Sequence, residues 1–284
     1  MKLFARAATL PLGVDIGSEF ISIVCSGAAG DGFSVRETRT LEVPAVEPSQ
    51  LDLKLAQTIR AIVNGFEAAE RRCVLAAPAS DVVTRTFRVP PGMRRGEADR
   101  AAALEADAMV DWPASERLVA LDPIPGCPDD MLLSVARTST IERIVAIARA
   151  GGLKPVAVDV PVCAWRRAVP DADAILDCTR DRAELVIFGA PIGTSHHFAP
   201  RLVEERLGAQ VRTALVDARR DGIADVQRLV ILASRFRYES MEALLRDDGY
   251  AVAPVQLGGL EAPPWTFAFG LASWSIAPRG LVAS

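Results

Sequence analysis

Two stretches of this chain space acidic, glycine and hydroxyl residues as a phosphate site would need them. The first is Leu12-Gly13-Val14-Asp15-Ile16-Gly17-Ser18, which runs directly into Glu19-Phe20-Ile21-Ser22-Ile23-Val24-Cys25. It reads as an apolar strand, an Asp-x-Gly-Ser turn and a second apolar strand. A carboxylate at a strand end can face a metal-bound phosphate. Glycine lets backbone N–H groups approach phosphate oxygens, and the serine hydroxyl adds a donor. No Gly-Lys-Ser/Thr follows, so this is not a Walker sequence. Asp, Gly and Ser are also ordinary turn formers, and a plain hairpin is the competing reading.

The second stretch echoes the first. Ala174-Ile175-Leu176-Asp177-Cys178-Thr179-Arg180 leads into Ala183-Glu184-Leu185-Val186-Ile187-Phe188-Gly189. Gly27 lies twelve residues after Asp15, and Gly189 lies twelve after Asp177. A repeated strand–Asp–turn–strand unit predicts two similar half-domains, and ligand sites commonly lie between such halves. Asp15, Gly17, Ser18, Asp177 and Thr179 are the candidate nucleotide-contacting residues.

The elements that would hold these turns can be read from periodicity. Strands are expected at 11–17, 20–26 and 33–43. Ser49 with Asp52 resembles a capping box, and Leu55, Ile59, Ile62, Val63 and Phe66 recur at helical spacing through about residue 70. Cys73–Pro78 reads as a buried strand. Residues 79–160 read as a separate α/β unit: a strand from Val82 to Pro90, a helix over 96–110, strands around 117–122 and 131–136, a helix capped by Ser139 with Glu142, and a strand over 156–160. Gly151-Gly152 should end that second helix. A boundary falls near Pro170-Asp171. The second half then has a strand pair within 174–189, one or two helices marked by Leu202, Leu207, Val211 and Leu215, and a strand over 229–233. A helix around Met241, Leu244 and Leu245, a strand over 251–257 and a closing helix over 267–274 complete it. The result is an α/β protein with mixed sheets, two half-domains and one inserted subdomain.

Composition narrows the function classes. At 284 residues, half of them hydrophobic and 24% charged, the chain is a folded one. A net charge of −4 gives no basic excess for nucleic acid. Five cysteines are scattered without a Cys-x-x-Cys, which reads as buried reduced thiols in a reducing compartment. No run approaches the roughly 18 apolar residues of a membrane span, and the N-terminus does not read as a secretory signal. The expectation is a cytoplasmic protein that reaches a membrane through a partner. His196-His197 is the sole histidine pair, reads as a surface or loop pair, and offers no triad. No Gly-x-Ser-x-Gly frame supports hydrolase chemistry.

These segments, in this order, resemble actin-like ATPases of the PilM and FtsA type, and PilM of type IV pilus assembly and its competence relatives more closely. Leu12 to Ser18 resembles the family's first phosphate loop. Leu75-Ala76-Ala77-Pro78-Ala79-Ser80, followed by Thr84 to Pro90, resembles the start of its inserted subdomain. Glu105-Ala106-Asp107-Ala108 with Trp112-Pro113 is similar to its helix-then-Pro segment. Leu132 to Arg137 and Gly152 to Val160 are similar to the return into the core. The resemblance implies an actin-like (ribonuclease H-like) fold: a first core of 8–78 with 161–172, an insertion over 79–160, and a second, reduced core over 173–284. It also implies two ligands. One is ATP with Mg²⁺ in the cleft. The other is the N-terminal cytoplasmic tail of a PilN-like membrane protein, held beside the insertion at the inner face of the membrane.

The chain departs from that family where nucleotide would sit. Asp177-Cys178-Thr179-Arg180 keeps the Asp of the second phosphate loop and lacks its Gly, and a Thr does not readily take positive φ. Ala233-Ser234-Arg235-Phe236 stands where an adenine-side glycine pair is expected. The resemblance therefore implies a scaffold with a degenerate nucleotide cleft rather than an enzyme. An active ATPase or kinase of the actin and sugar-kinase superfamily, and the cytoplasmic domain of a type II secretion-like platform, are the alternatives. Self-association stays open. Arg85, Arg88, Arg94, Arg95 and Arg100 make 85–100 locally basic, a solvated face or a contact for acidic headgroups or an acidic partner segment. Arg85, Arg88 and Trp112 are the candidate partner-binding residues.

Overall fold

The computed structural model describes residues 10–17, 20–29, 32–43, 45–66, 71–124, 127–178, 183–189, 194–199, 202–233, 235–254, 256–257, 260–261 and 266–273. Ser18 and Thr179, with the arginines that follow Thr179, lie outside the described residues.

Two sheets of like topology organise the chain. The first has the order β3-β2-β1-β4-β8, from β1 (Leu12–Ile16), β2 (Phe20–Ala29), β3 (Gly32–Glu42), β4 (Arg72–Ala76) and β8 (Lys154–Asp159). The second has the order β11-β10-β9-β12-β13, from β9 (Ala174–Asp177), β10 (Glu184–Ile187), β11 (Thr194–His197), β12 (Arg228–Leu232) and β13 (Ala251–Pro254). In each, the strand that carries the aspartate runs antiparallel to its successor and parallel to a later strand on its other side. The echo between Asp15 and Asp177 is thus a repeat of topology.

Period-two alternation sorts the side chains into layers. On the first sheet Leu12, Val14, Ile21, Ile23, Cys73 and Leu75 face a core built with α1 (Pro48–Asn64) and α3 (Thr138–Ala150). The intervening Val24 and Val74 face the other way. On the second sheet Ala174, Leu176, Leu185, Ile187, Leu229 and Ile231 face α5 (Glu204–Arg220) and α6 (Arg235–Arg246). Ile175, Val186, Val230 and Leu232 turn inward. Between the sheets lie α4 (Pro161–Ala168) and α7 (Thr266–Ala272), with Trp165 buried at the centre. The fold is a helix–sheet–helix–sheet–helix stack whose middle layer is shared by both halves.

Small residues let that middle layer close. A Cβ on Gly13 would stand 1.8 Å from the Ala268 carbonyl oxygen, and one on Gly270 would stand 2.0 Å from that of Ala164. Arg167 completes the contact. Its Nε donates to the Gly270 carbonyl at 2.9 Å, and its Nη2 pairs with the Asp159 carboxylate at the end of β8. Burial pulls this guanidinium down to about 10. At the junction of the halves Arg166 stacks over the Phe188 ring, 4.1 Å from its centroid, and donates to the carbonyls of Pro170 and Ala172. Asp173 accepts the Gln227 and Arg228 N–H groups at 2.9 and 2.7 Å.

The insertion with its own core is smaller than 79–160. It comprises β5 (Val82–Arg88), α2 (Arg95–Met109), β6 (Arg117–Ile124) and β7 (Cys127–Arg137), in the sheet order β5-β7-β6. Ala98, Ala102 and Ala106 lay one small-residue face of α2 against Leu121, Leu133 and Val135. By contrast α3 packs on α1 and β8 pairs with β4, so both belong to the first half.

Several local expectations are corrected. Ser49 and Asp52 form no capping box: α1 begins with Pro48 after Glu47, and Asp52 instead accepts from Arg143 Nε at 2.9 Å. Ser139 does not cap α3, which begins at Thr138 after Arg137. The eight-residue α4 and the edge strand β11 were not foreseen. Of the one or two helices expected between β11 and β12, the described residues carry one, α5. Gly152, at φ +90°, ends α3 as expected, with the Leu153 N–H donating to the Ala148 carbonyl at 3.0 Å.

Candidate functional site

Two regions could hold a ligand: the strand ends that face the middle layer, and the open face of the inserted sheet.

Alternation puts Asp15 on the same side of β1 as Gly13, and Asp177 on the same side of β9 as Ile175. Both carboxylates therefore point from the strand ends toward the α4 and α7 layer, and both are buried. Asp159 reaches the same layer from β8, where Arg167 and the Val160 N–H hold it. Gly17 follows β1, and its N–H donates to the Phe20 carbonyl at 2.9 Å, so this donor closes the hairpin. Opposite Asp15 in register stands Ser22, whose Oγ lies 3.0 Å from Thr40 Oγ1. Opposite Asp177 stands Glu184, a second buried carboxylate. Sequence reasoning singled out neither Asp159 nor Glu184. A third Asp at the end of an apolar run (Val158-Asp159-Val160) was the available signal for the former. Among the described residues no group of three or more His, Cys, Asp or Glu is placed to hold a metal ion.

The inserted sheet has two unlike faces. Val83, Arg85, Phe87, Leu121, Leu133 and Val135 lie on the side covered by α2. The other side carries Thr84 and Thr86 of β5, Ser134 and Leu132 of β7, and Leu118, Ala120 and Asp122 of β6. Exposure falls along this face. Leu118 is 45% exposed, Asp122 half-buried and Leu132 2% exposed. Burial, and after it the charge of Asp122, push the Cys163 thiol of α4 up to about 12. The face is uncovered at Leu118 and again at Arg88, with Leu132 buried between them.

The three residues expected to bind a partner do not share a face. Arg85 lies on the α2 side, paired with Glu105. Trp112 follows α2, with the Arg137 guanidinium stacked 4.4 Å from its ring centroid. Arg88 projects from the open side, at the outer end of β5, its Nε donating to Asp130 at 3.1 Å. His196 is half-buried on β11 and burial lowers its imidazole, against the opposing charge of Asp217. It lines a shallow cavity of about 370 Å³ beside α5. No described helix is long and apolar enough to cross a membrane.

Two five-stranded sheets with a repeated strand order, a shared helical layer and an inserted α/β unit define an actin-like fold. Solved structures agree. A PilM–PilN type IV pilus biogenesis complex aligns with a TM-score of 0.73 at 18% identity, over 94% of this chain and 99% of that chain. The cytoplasmic domain of EpsL, an inner membrane component of the type II secretion system of Vibrio cholerae, aligns at 0.57 and 12% identity, over 96% and 98%. A Bacteroides thetaiotaomicron protein described as having an actin-like ATPase fold aligns at 0.51 and 9% identity, over 89% and 93%. The family of type IV pilus assembly protein PilM matches residues 13–196, and the chain belongs to that family.

Proposed function

We propose that this chain is a cytoplasmic scaffold of a type IV pilus-like assembly or competence machine. It holds the N-terminal cytoplasmic tail of a PilN-like membrane subunit at the inner face of the membrane, and its nucleotide cleft no longer cradles phosphate. The observation that carries the reading is membership of the PilM family over 13–196, a span that includes the whole inserted unit. The open face of the inserted sheet supports it, since a partly uncovered sheet surface suits an extended peptide. Arg88 sits at the outer end of that face, while Arg85 and Trp112 would act through α2.

Two features support the loss of phosphate binding. The Gly17 N–H is spent on Phe20. No glycine follows Asp177 before Gly189. Calorimetry with the tail peptide, with and without Mg-ATP, tests the proposal. Binding that is unchanged by Mg-ATP is expected, and failure of the peptide to bind overturns it.

The matched placement of Asp15 and Asp177 on their sheets favours one second reading, an active phosphoryl-transfer enzyme. ATP turnover that disappears in Asp15→Ala would establish it. A platform of the type II secretion kind would differ in the membrane subunit that the open face accepts.

A further inference from the structure

The open face of the inserted sheet holds two polar groups, Ser134 and Asp122, whose side chains are left without partners. Ser134 is 7% exposed, and its Oγ has no hydrogen-bond partner. Asp122 lies diagonally across from it: Ala120 stands opposite Ser134, and Asp122 opposite Leu132. The Asp122 carboxylate accepts no hydrogen bond from the described residues. Burial opposes its ionisation, and the field of Arg95 only partly offsets this. Arg95 is directed elsewhere, to Asp99 at 3.0 Å and to the Leu121 carbonyl at 3.1 Å. A desolvated carboxylate and a buried hydroxyl without partners cost folding free energy, and such costs persist where a ligand relieves them.

We propose that Asp122 and Ser134 are the specificity pair of the tail-binding face, and that they receive a guanidinium from the bound tail. This rests on the reading that the tail lies on this face. A guanidinium offers five N–H donors in a planar fork. It can meet a carboxylate with two of them and still reach a neighbouring hydroxyl. Thr84 and Thr86 flank the pair with further acceptors on the same face. Leu118 and Ala136 supply the apolar wall along which an arginine stem can lie.

The test titrates a labelled peptide of the membrane subunit's cytoplasmic tail into four proteins: wild type, Asp122→Asn, Ser134→Ala and Leu118→Asp. Asp122→Asn is expected to weaken binding about tenfold or more. Replacing the tail arginine by Gln should cost the same factor in wild type and nothing further in Asp122→Asn. Asp122→Asn should also melt no lower than wild type, because it removes a charge that folding desolvates. A tail that keeps full affinity for Asp122→Asn, or that binds tightly without any arginine, overturns the pair. In those outcomes the loss of binding in Leu118→Asp leaves the face itself standing. If Leu118→Asp binds the tail as wild type does, the reading of the face fails with it.

Discussion

Gly270→Ala is the sharpest test of how the two halves are joined. The new Cβ would stand 2.0 Å from the Ala164 carbonyl oxygen and 2.8 Å from its carbon, about 1.4 Å short of the 3.4 Å at which ordinary contact begins. Both atoms are helix backbone, so no side chain can swing away. Helix α7 must move, and two other contacts go with it: the Arg167 bond to the Gly270 carbonyl and the seat of α7 on Gly13. Overpacking of this kind costs about 3 kcal/mol at the upper end of its usual range. Alanine's better helix propensity returns about 1 kcal/mol, leaving a net loss of about 2 kcal/mol. For a chain of this length that lowers Tm by about 4 °C. Scanning calorimetry of the variant beside Gly96→Ala reads the difference. A Cβ on Gly96 meets nothing within 4 Å, so Gly96→Ala should melt at or slightly above the wild-type temperature. If Gly270→Ala is as stable as Gly96→Ala, α7 does not sit against α4 and the shared middle layer is wrong.

Other outcomes follow from the same structure. Trp165→Ala removes the largest fully buried side chain among the described residues and should cost about 3–5 kcal/mol by denaturant titration. Arg85→Ala breaks a half-exposed pair and should change stability by no more than about 0.5 kcal/mol. Asp173→Ala leaves two backbone N–H groups without their acceptor at the junction of the halves and should cost about 1 kcal/mol. Burial raises the thiols of Cys73 and Cys163 from 9.0 to about 12. The unfolded chain therefore releases these protons first. Their contribution to stability is full below about pH 9 and is lost as pH rises toward 12. Both thiols should resist a thiol reagent at pH 8 until the protein unfolds.

The central strands of both sheets were legible because they run between two apolar layers, and the Asp–turn punctuation repeats. What the sequence hid was short or depended on distant partners. Helix α4 has eight residues buried on several sides, so Pro161-Val162-Cys163-Ala164-Trp165 shows no polar face to mark a helix. Strand β11, Thr194-Ser195-His196-His197, is an edge strand of polar residues, and pairing with β10 rather than propensity makes it a strand. The first capping box failed because α1 starts at Pro48 and Asp52 found Arg143 on a neighbouring helix, a contact 91 residues away in sequence; the second failed because α3 starts one residue before Ser139. At the candidate sites, Asp15 and Asp177 could be read from their strand ends. Asp122 and Ser134 could not, since their significance lies in what does not contact them. Pairing charges within 85–100 required knowing that Glu105 and Asp130 lie beside Arg85 and Arg88.

The seat of α7 on Gly13 joins the end of the described chain to its beginning. A ribosome releases β1, β2 and β4 long before residues 266–272 exist. Until then the inner face of the first sheet, with Val24 and Val74, has no cover from α7. Contacts of such long sequence separation slow folding, and an uncovered apolar sheet invites aggregation meanwhile. Nascent chains cut before residue 266 should therefore engage chaperones, and production of this protein should be more sensitive to loss of α7 than to loss of a surface loop.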